Sequence, residues 1–444
     1  MANANQVGIG RANLSSGVGY DGAADKYALY LKLFSGEMFK GFQHNTIARD
    51  LVTKRTLKNG KSLQFIYTGR MKSEYHTPGT PILGNDDKSP PVAEKTIVMD
   101  DLLISSAFVY DLDETLAHYD LRGEISRKIG YALAENYDRK IFRAIARGAR
   151  KASPITASGY VEPGGTQIQV NASNSNANAT NAGNLVTAFF NAAAVLDEKG
   201  VSQDGRVAVL NPRQYYALIQ ETGDSGLINR DVQGAGLQSG TGVVSIAGIK
   251  IFKSMNIPFL GKFGTANTID NAGSFVGQSM DSAAGSQAGT YVRTVTSGLT
   301  TVTKTAHGLT TGDKVVFNAT AGTATSGTYT VTVTTADAFT FTDSALTTAQ
   351  SSVACTFSVA GVNNNYGEAN DFAGSCGLIF QKEGAGVVEA IGPQVQVTNG
   401  DVSIMYQGDI ILGRLAMGAD YLNPAACVEL IAGAATGATG AAAF

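Results

Sequence analysis

Residues 120–151 read DLRGEISRKIGYALAENYDRKIFRAIARGARK, a long segment of alternating charged and apolar character. Apolar side chains recur in it every four residues, at Leu121, Ile125, Ile129, Leu133, Tyr137, Ile141 and Ile145, and Phe142 widens the stripe. This repeat is that of a helix with one buried face. At the rise of an α-helix the segment would extend roughly 45 to 50 Å. We therefore expect a spine along which the other elements pack, and an architectural rather than a catalytic role.

The last third of this segment is strongly basic. Its cations are Arg139, Lys140, Arg143, Arg147, Arg150 and Lys151, and no acid follows Asp138. Cations near the carboxyl end of a helix are stabilised by the helix dipole, which explains the pattern structurally. The alternative is a surface that faces phosphate or an acidic partner.

The composition of the whole chain excludes several classes of protein. A chain of 444 residues is too long to form a single hydrophobic core, so its length predicts two or three packed units. A net charge of -3 argues against a protein whose main task is to neutralise nucleic-acid phosphates. Cys355, Cys376 and Cys427 are widely spaced, which predicts buried thiols rather than a disulfide framework or a metal site.

The amino-terminal residues predict an arm. Residues 1–24 are rich in Gly, Asn, Ser and Ala, which is typical of a flexible segment, and residues 25–42 have an apolar helical pattern suited to docking on a neighbour. The arm has neither the basic start nor the apolar run of a secretion signal. No segment supplies the roughly 20 apolar residues of a membrane span. We expect synthesis in a cytoplasm without secretion by that route.

The next region predicts an extended hairpin. Residues 62–68 alternate as a strand does, and strand patterns return at 96–99 and 102–109. Between them lies an irregular stretch, 77–91, with four prolines and several glycines and aspartates. A long hairpin makes few contacts within its own chain, so we expect it to contact another subunit.

The region after the long helix predicts a mixed α/β unit. Residues 160–184 contain the Asn-rich run NASNSNANATNAGN and are interpreted as a low-complexity loop. Asn184 is the predicted cap of a helix that stops at Gly200. The unit continues with a predicted strand at 206–210, a helix that begins at Asn211 and Pro212, and strands near 243–246 and 249–253.

The composition changes sharply between residues 289 and 361. Residues 291–360 hold 21 threonines and six charged side chains. Short alternating runs at 328–333 and 339–342, with a turn at 312–314, predict a small all-β module inserted into the α/β unit. Strand patterns return at 377–380, 387–391, 395–397 and 410–412, and a Gly/Ala tail follows.

Several segments in this order resemble the major capsid proteins of tailed phages, in particular the short-tailed, T-seven-like podovirus branch. The residues that carry the resemblance are DKYALYLKLFSGEMF at 25–39, GKSLQFIYTGR at 60–70, EKTIVMDDLLISSAFVYDLDETLAHYDLR at 94–122 and GDIILGRLAMGADYLNPAACV at 408–428. The resemblance covers most of the chain except the Thr-rich insert and the Asn-rich loop. It implies an α+β chain with the tailed-phage and herpesvirus capsid fold, known as the Hong Kong-type fold.

That fold assigns a place to each part of the chain. The implied parts are an N-terminal arm at 1–52, an E-loop at 53–101, the spine helix and P-domain at 102–158, an A-domain at 159–289 that returns at 362–394, the inserted module at 290–361, and a P-domain return with the C-terminal tail at 395–444. The resemblance also implies hexamers and pentamers that close into an icosahedral shell around double-stranded DNA. It implies a scaffolding protein during assembly in the host cytoplasm, a portal protein at one vertex of the virion, and no cofactor.

In this family context the basic helix end is a candidate for contact with DNA or with a neighbouring subunit. Pairing of Arg143, Arg147 and Arg150 with acids of the same or a neighbouring subunit would favour structure over contact with DNA. The candidate E-loop contacts are Lys58, Lys61, Arg70, Lys72 and Lys88. Some capsid relatives join subunits by a bond between an E-loop lysine and an asparagine, and Asn423 is a conceivable partner here. Solvated side chains are the alternative.

Three motifs typical of enzymes or of ligand-binding sites occur in the sequence, but each lacks part of the pattern that its function requires. VYDLDETL at 109–116 matches the signature of haloacid-dehalogenase-type phosphatases, with Asp111 as nucleophile and Asp113 as general acid. The downstream lysine, the late acidic pair and the doubly wound sheet of that class are missing from the pattern. His44, His76, His118 and His307 show no metal-ligand spacing, and GAGLQSG at 234–240 lacks the lysine of a phosphate-binding loop.

Two alternatives stay open within the shell interpretation. An encapsulin-like bacterial nanocompartment protein would have the same fold. The Thr-rich insert, which is similar to small β modules of phage fibres, is either a projection that contacts neighbours or glycans, or a tolerated surface insertion.

Overall fold

The computed structural model describes a set of segments that contain four α-helices and nineteen strands. The described residues are 47–71, 73, 75–79, 90–111, 121–155, 162–171, 181–220, 245–257, 287–294, 298–305, 307, 309, 311–343, 349–364, 366, 375–397 and 407–432. The helices are α1 (Ala48–Leu51), α2 (Leu121–Ala149), α3 (Ala182–Glu198) and α4 (Pro212–Gln220). Of the predicted arm at 1–52, residues 1–46 lie outside the described residues.

The strands fall into four sheets. They are β1 (Thr53–Thr56), β2 (Ser62–Thr68), β3 (Val92–Val98), β4 (Leu103–Tyr110), β5 (Thr166–Asn171), β6 (Arg206–Leu210), β7 (Ser245–Ile246), β8 (Ile249–Lys253), β9 (Gln287–Arg293), β10 (Leu299–Thr303), β11 (Lys314–Ala319), β12 (Gly327–Thr330), β13 (Thr332–Thr335), β14 (Ala338–Thr342), β15 (Gln350–Val359), β16 (Ser375–Gln381), β17 (Ala385–Val397), β18 (Gly408–Tyr421) and β19 (Cys427–Ala432). The sheet orders are β1-β17-β18-β4, β12-β11-β15-β9-β10-β14-β13, β5-β19-β16-β6-β8-β7 and β2-β3.

The predicted long helix is confirmed as α2, which at 29 residues extends roughly 43 Å. Its predicted apolar positions from Ile125 to Ile145 are buried, and Phe142 is buried beside them. The side chain of Leu121 lies outside the description. The four-residue repeat therefore identified the buried face correctly.

Contacts divide the chain into two units. The first comprises Met1–Asn45, Leu102–Glu135 and Ile391–Met417, and the second comprises Thr46–Asp101, Asn136–Ala390 and Gly418–Phe444. In the first unit β4 pairs antiparallel with β18, and Gly413 of β18 lies so close to Ile129 and Leu133 that a Cβ there would be 2.3 Å from Ile129 Cγ2. The domain boundaries inferred from the resemblance stay predictions.

The second unit contains the predicted hairpin. Strands β2 and β3 pair antiparallel from Ser62 opposite Val98 to Thr68 opposite Val92, which confirms the two strand patterns and their pairing. The side chains of β2 alternate between half-buried and exposed. Residues 72, 74 and 80–89 of the intervening stretch lie outside the described residues.

The six-stranded sheet forms the α/β part of the second unit. Helices α3 and α4 pack on it around a core that includes Leu185, Phe189, Leu210 and Ile379. The interpretation of 160–184 as a loop was wrong for 166–171, which form β5 in parallel with β19. Four of the six residues of β5 are polar and the Asn-rich run follows directly, so the segment lacks the apolar content of a buried strand. The predicted cap was also misplaced: Asn181, not Asn184, caps α3 by accepting from the Asn184 N–H at 3.3 Å.

The Thr-rich insert forms the seven-stranded sheet, so its β character is confirmed. The alternating run at 328–333 falls on two strands, β12, which pairs with β11, and β13, which pairs with β14. Buried Val331 joins these two edge strands, and the Tyr329 and Phe341 rings stack at 4.3 Å. The two edge strands of the sheet thus follow each other directly in the chain, so the sheet curls on itself, and we call it the barrel.

Candidate functional site

Three cations of the basic end of α2 form ion pairs with acids of the same chain. Lys140 Nζ lies 2.9 Å from Asp100 Oδ2, Arg147 Nη1 lies 3.6 Å from Asp420 Oδ1, and Arg150 Nε lies 2.7 Å from Glu429 Oε2. Their spacing of seven and three residues places them along one side of the helix. We call Lys140, Arg147 and Arg150 the charged seam.

The first pair of the charged seam is buried. The side chains of Asp100 and Lys140 are 2% and 5% exposed. The Tyr366 hydroxyl also donates to Asp100 Oδ2 at 2.7 Å, and burial followed by the charge of Asp100 raises the pKa of Tyr366. A buried carboxylate is stable only when it is paired and hydrogen-bonded, and both conditions hold here.

The second pair connects α2 to the hairpin. Lys95 of β3 lies 2.7 Å from Asp420 Oδ2, while Arg147 approaches Oδ1 of the same carboxylate. The ring of Tyr421 also contacts both cations, with Lys95 Nζ 3.9 Å and Arg147 Cζ 5.6 Å from its centroid. Cation–π contacts add to the ion pair, so this site fixes the hairpin at a point on the helix.

The third pair has bidentate geometry. Arg150 Nε and Nη2 each donate to one oxygen of Glu429 at 2.7 Å, and the Gln167 amide donates to Oε2 at 2.8 Å. Glu429 is fully buried in β19. Two parallel charge-assisted hydrogen bonds of this kind are among the strongest polar contacts in proteins.

A fourth carboxylate, Glu162, holds the far end of the hairpin. The Arg70 backbone N–H donates to Glu162 Oε1, Arg70 Nε lies 3.6 Å from Oε2, and the Tyr67 hydroxyl donates to Oε2 at 3.5 Å. Burial and the charge of Glu162 raise the pKa of Tyr67. The hairpin is thus attached through Asp100, Asp420 and Glu162.

A fifth carboxylate, Glu389 of β17, holds the segment that follows the amino-terminal arm. The Tyr137 hydroxyl donates to it at 2.6 Å, Lys54 Nζ lies 2.7 Å away and Arg49 Nε lies 3.3 Å away. Burial alone would raise the pKa of Glu389, but the hydrogen bonds from Lys54, Tyr137 and Arg49 outweigh it and leave the pKa below its ordinary value. Burial and Glu389 together raise the pKa of Tyr137.

The outward face of the hairpin is apolar at several positions. Ile66 of β2 is 75% exposed, Val92 of β3 and Met71 are also mostly exposed, and Tyr75 is fully exposed. Lys58 and Lys61 are exposed at its base, and Arg70 is mostly exposed beside Glu162. Exposed apolar side chains on one face of a hairpin are typical of protein contact surfaces.

The other predicted site residues are distributed as follows. Arg139 and Arg143 are buried and have interactions in the chain, and Lys151 is exposed. Lys72 and Lys88 lie outside the described residues. The side chain of Asn423 accepts from the Ala425 N–H at 3.1 Å. A role of the helix end or of the hairpin lysines in contacting DNA or another subunit stays a prediction.

The phosphatase motif has the wrong setting. Asp111 follows β4, an edge strand paired antiparallel with β18, and lies 3.8 Å from Arg122. That chemistry needs a mostly parallel, doubly wound sheet. Asp113, like the loop 234–240, lies outside the described residues.

Metal and thiol chemistry receive little support. Among the residues that the structure describes, no group of three His, Cys, Asp or Glu side chains is placed to hold a metal. His307 is buried and hydrogen-bonded to Thr335 O and the Leu309 N–H, His76 is exposed, and His44 and His118 fall outside the description. Cys355, Cys376 and Cys427 are buried thiols, as predicted.

The described helices also include none with the length and apolar character needed to cross a membrane.

Sequence reasoning missed all five acids of these sites. Their signal is a single carboxylate within or beside an apolar strand, as in CVELIA around Glu429 and VVEAI around Glu389. Acidic side chains are almost never fully buried unless they are paired, so such positions predict a partner. The partner itself is distant in sequence and is found only in the folded chain.

Three comparisons with known proteins bear on this arrangement. The family described as "Gp10A-like: Major capsid protein" matches residues 64–303, more than half of the chain. The major capsid protein of Escherichia phage T7 is 29% identical over 222 residues, which cover 49% of this chain and 63% of the relative. That of Enterobacteria phage T3 is 36% identical over 126 residues, or 28% of this chain and 35% of the relative. The matched segments thus span less than two thirds of these relatives.

A solved structure is similar over nearly the whole chain. The capsid structure of cyanophage P-SCSP1u aligns with a TM-score of 0.59 and 27% identity, covering 95% of this chain and 98% of the other.

Proposed function

Since this chain belongs to the Gp10A-like family of major capsid proteins, we propose that it assembles as hexamers and pentamers into the icosahedral head of a short-tailed phage. The fold is the Hong Kong-type capsid fold, as the sequence predicted. The observation that carries the proposal is the structural match to a phage capsid subunit over 95% of this chain. The protein is a structural one, and we propose that it has no enzymatic activity of its own.

The proposed parts have distinct tasks. The hairpin acts as the E-loop and places its outward apolar face, with Ile66 and Val92, against a neighbouring subunit. Burying such side chains stabilises an interface by roughly 25 cal/mol for each Å² removed from water. The carboxylates Asp100, Asp420 and Glu162 hold the hairpin at the angle that this contact requires.

The proposed partners follow from the same premise. Assembly takes place in the host cytoplasm around a scaffolding protein, a portal protein occupies one vertex, and double-stranded DNA fills the shell. Because Arg150 is paired with Glu429 whereas Lys151 is exposed, contact with DNA is made through exposed cations such as Lys151 rather than through Arg150.

Electron microscopy of the purified protein, with and without its co-expressed scaffolding protein, tests the proposal. We expect closed shells that depend on the scaffold. Persistent monomers in the presence of the scaffold would refute it, and scaffold-free shells around a cargo enzyme would identify a nanocompartment instead.

A substitution on the hairpin tests the proposed contact surface. Ile66→Asp places a charge on a side chain that is mostly exposed in the subunit, so we expect an unchanged melting temperature but few or no shells. Thr328→Asp, on an exposed position of β12 in the barrel, is the matched control and should assemble normally. Normal shells from Ile66→Asp would show that this face is not an interface.

A further inference from the structure

The carboxylate of Asp100 is the centre of a buried polar cluster. Its Oδ1 accepts from the Asn363 N–H at 2.8 Å, the Asn364 N–H at 3.1 Å and the Asn364 side-chain amide at 3.0 Å. Its Oδ2 accepts from Lys140 Nζ at 2.9 Å and the Tyr366 hydroxyl at 2.7 Å. Five donors on one carboxylate satisfy its charge and its lone pairs within the protein.

The donors come from two separate parts of the chain. Lys140 belongs to α2, whereas Asn363, Asn364 and Tyr366 follow β15, where the chain leaves the barrel. Asp100 itself lies two residues beyond the end of β3. We call residues 361–364 together with Tyr366 the exit segment.

The exit segment also pairs with the end of the hairpin through the backbone. The Asn364 side chain donates to Val98 O at 2.6 Å and accepts from the Val98 N–H at 3.2 Å, as a neighbouring strand would. The Asn363 amide donates to Met99 O at 2.7 Å, and the Asp101 N–H donates to the carbonyl of Gly361 at 2.8 Å. Strand β3 is therefore extended at its base by side chains of the exit segment.

The barrel is separable from this arrangement. Gln287 at the start of β9 lies opposite Phe357 near the end of β15, so the chain enters and leaves the barrel at neighbouring positions. Paired antiparallel residues are roughly 5 Å apart. The exit segment begins after β15 ends, and its contacts with Asp100 and Val98 do not involve barrel strands.

We propose that Asp100 is a positioning residue that fastens the base of the hairpin to α2 through the exit segment, so that this segment, unlike the barrel before it, is required for assembly. The proposal rests on the shell function proposed above. The exit segment determines the direction of the hairpin because Val98, Met99 and Asp101 each bond to it. Lys140 then fixes the whole group to the long helix through a charge pair whose two side chains are buried.

The variant Asp100→Asn tests this role. The substitution keeps the size of the side chain but removes the negative charge that faces Lys140. It also replaces a carboxylate oxygen, which accepts hydrogen bonds, by an NH₂ group, which cannot accept them from Lys140 or the Tyr366 hydroxyl. Hydrogen–deuterium exchange of the unassembled full-length subunit is the readout. We expect the amides of β2 and β3 to exchange about tenfold faster or more, while those of the barrel and of the six-stranded sheet keep their native rates. Shell yield should fall in parallel.

Asp101→Asn is the matched control. Asp101 is the exposed neighbour of Asp100, and it bonds to Gly361 through its backbone N–H, which the substitution keeps. Hydrogen exchange in β2 and β3 and the yield of shells should therefore equal those of the unaltered protein. Tyr366→Phe is a milder variant for the case in which Asp100→Asn does not fold. It removes one donor to Asp100 at nearly constant volume and should accelerate exchange in β2 and β3 alone.

The outcomes separate the two proposals. Native exchange rates in β2 and β3 for a folded Asp100→Asn protein, or for Tyr366→Phe where Asp100→Asn does not fold, would overturn the positioning role. Exchange that rises equally throughout the subunit would overturn it too, since Asp100 would then be a general stability residue. Failure of the unaltered chain to form shells would instead refute the shell function, and the exchange result would stand independently of it.

Discussion

Replacing Arg150 with methionine tests whether the basic end of α2 stabilises the subunit. Both oxygens of Glu429 receive hydrogen bonds from Arg150 at 2.7 Å, so Arg150→Met leaves a fully buried anion beside the neutral amide of Gln167. Removing one partner of a buried ion pair costs roughly 3 to 5 kcal/mol. Because the Arg150 side chain is 13% exposed, we expect the lower end of that range.

A double-mutant cycle isolates the pair. Glu429→Gln and Arg150→Met are each measured by urea unfolding of unassembled subunits, followed by circular dichroism, and then combined. The double variant has no unpaired buried charge, so it should be more stable than the sum of the single losses predicts, by about 2 kcal/mol. The amount of packaged DNA should fall only in those variants whose subunits are less stable.

The neighbouring Lys151 provides the control. It is exposed, so Lys151→Met should alter the free energy of unfolding by no more than about 0.5 kcal/mol. An Arg150→Met protein as stable as the native one, or strictly additive losses in the cycle, would refute the structural role. A packaging defect without loss of stability would then assign Arg150 to DNA.

Three further predictions concern other sites. Hydrogen bonds hold the pKa of Glu389 below its ordinary value of 4.5, so its stabilising contribution is present above that pH and is lost as the pH falls through the folded-state pKa. Glu389→Gln should therefore reduce the loss in the free energy of unfolding that occurs at acidic pH. Glu383→Gln, which replaces an exposed glutamate, should leave that pH dependence unchanged. Gly418→Ala would place a Cβ 2.1 Å from Val98 O, and we expect its melting temperature to fall and its β3 amides to lose protection in hydrogen exchange. Replacing 288–356 with a short Gly/Ser linker should still permit shells in electron microscopy, whereas extending the replacement to residue 366 should abolish them.

Much of the local structure could be predicted because its signals are local. The four-residue repeat located α2 to within two residues, and strand patterns located β2, β4, β6 and β8, whereas β1, β9, β10, β11, β15 and β19 were not predicted individually. The Thr-rich composition identified the insert as β structure. Such periodicities depend only on which faces of an element are buried, and they do not require knowledge of the partner.

The sites were predicted less well, because pairing is non-local. The cations of α2 were found in the sequence, but dipole stabilisation and phosphate contact explained them equally. In the folded chain Asp100, Asp420 and Glu429 pair with the cations of the charged seam, and two of these acids lie more than 250 positions from their partners. No local pattern links such residues.

The sequence by itself determined the long amphipathic helix, the hairpin and the β character of the insert. Tertiary structure alone decided that the polar segment 166–171 is a buried strand, that the run 327–335 supplies both edge strands of the curled seven-stranded sheet, and that Asn363, Asn364 and Tyr366 surround Asp100. The physical reason is the same in each case. A polar side chain can be buried only when a partner satisfies it, and chain topology, rather than the neighbouring residues, determines which partner comes within reach.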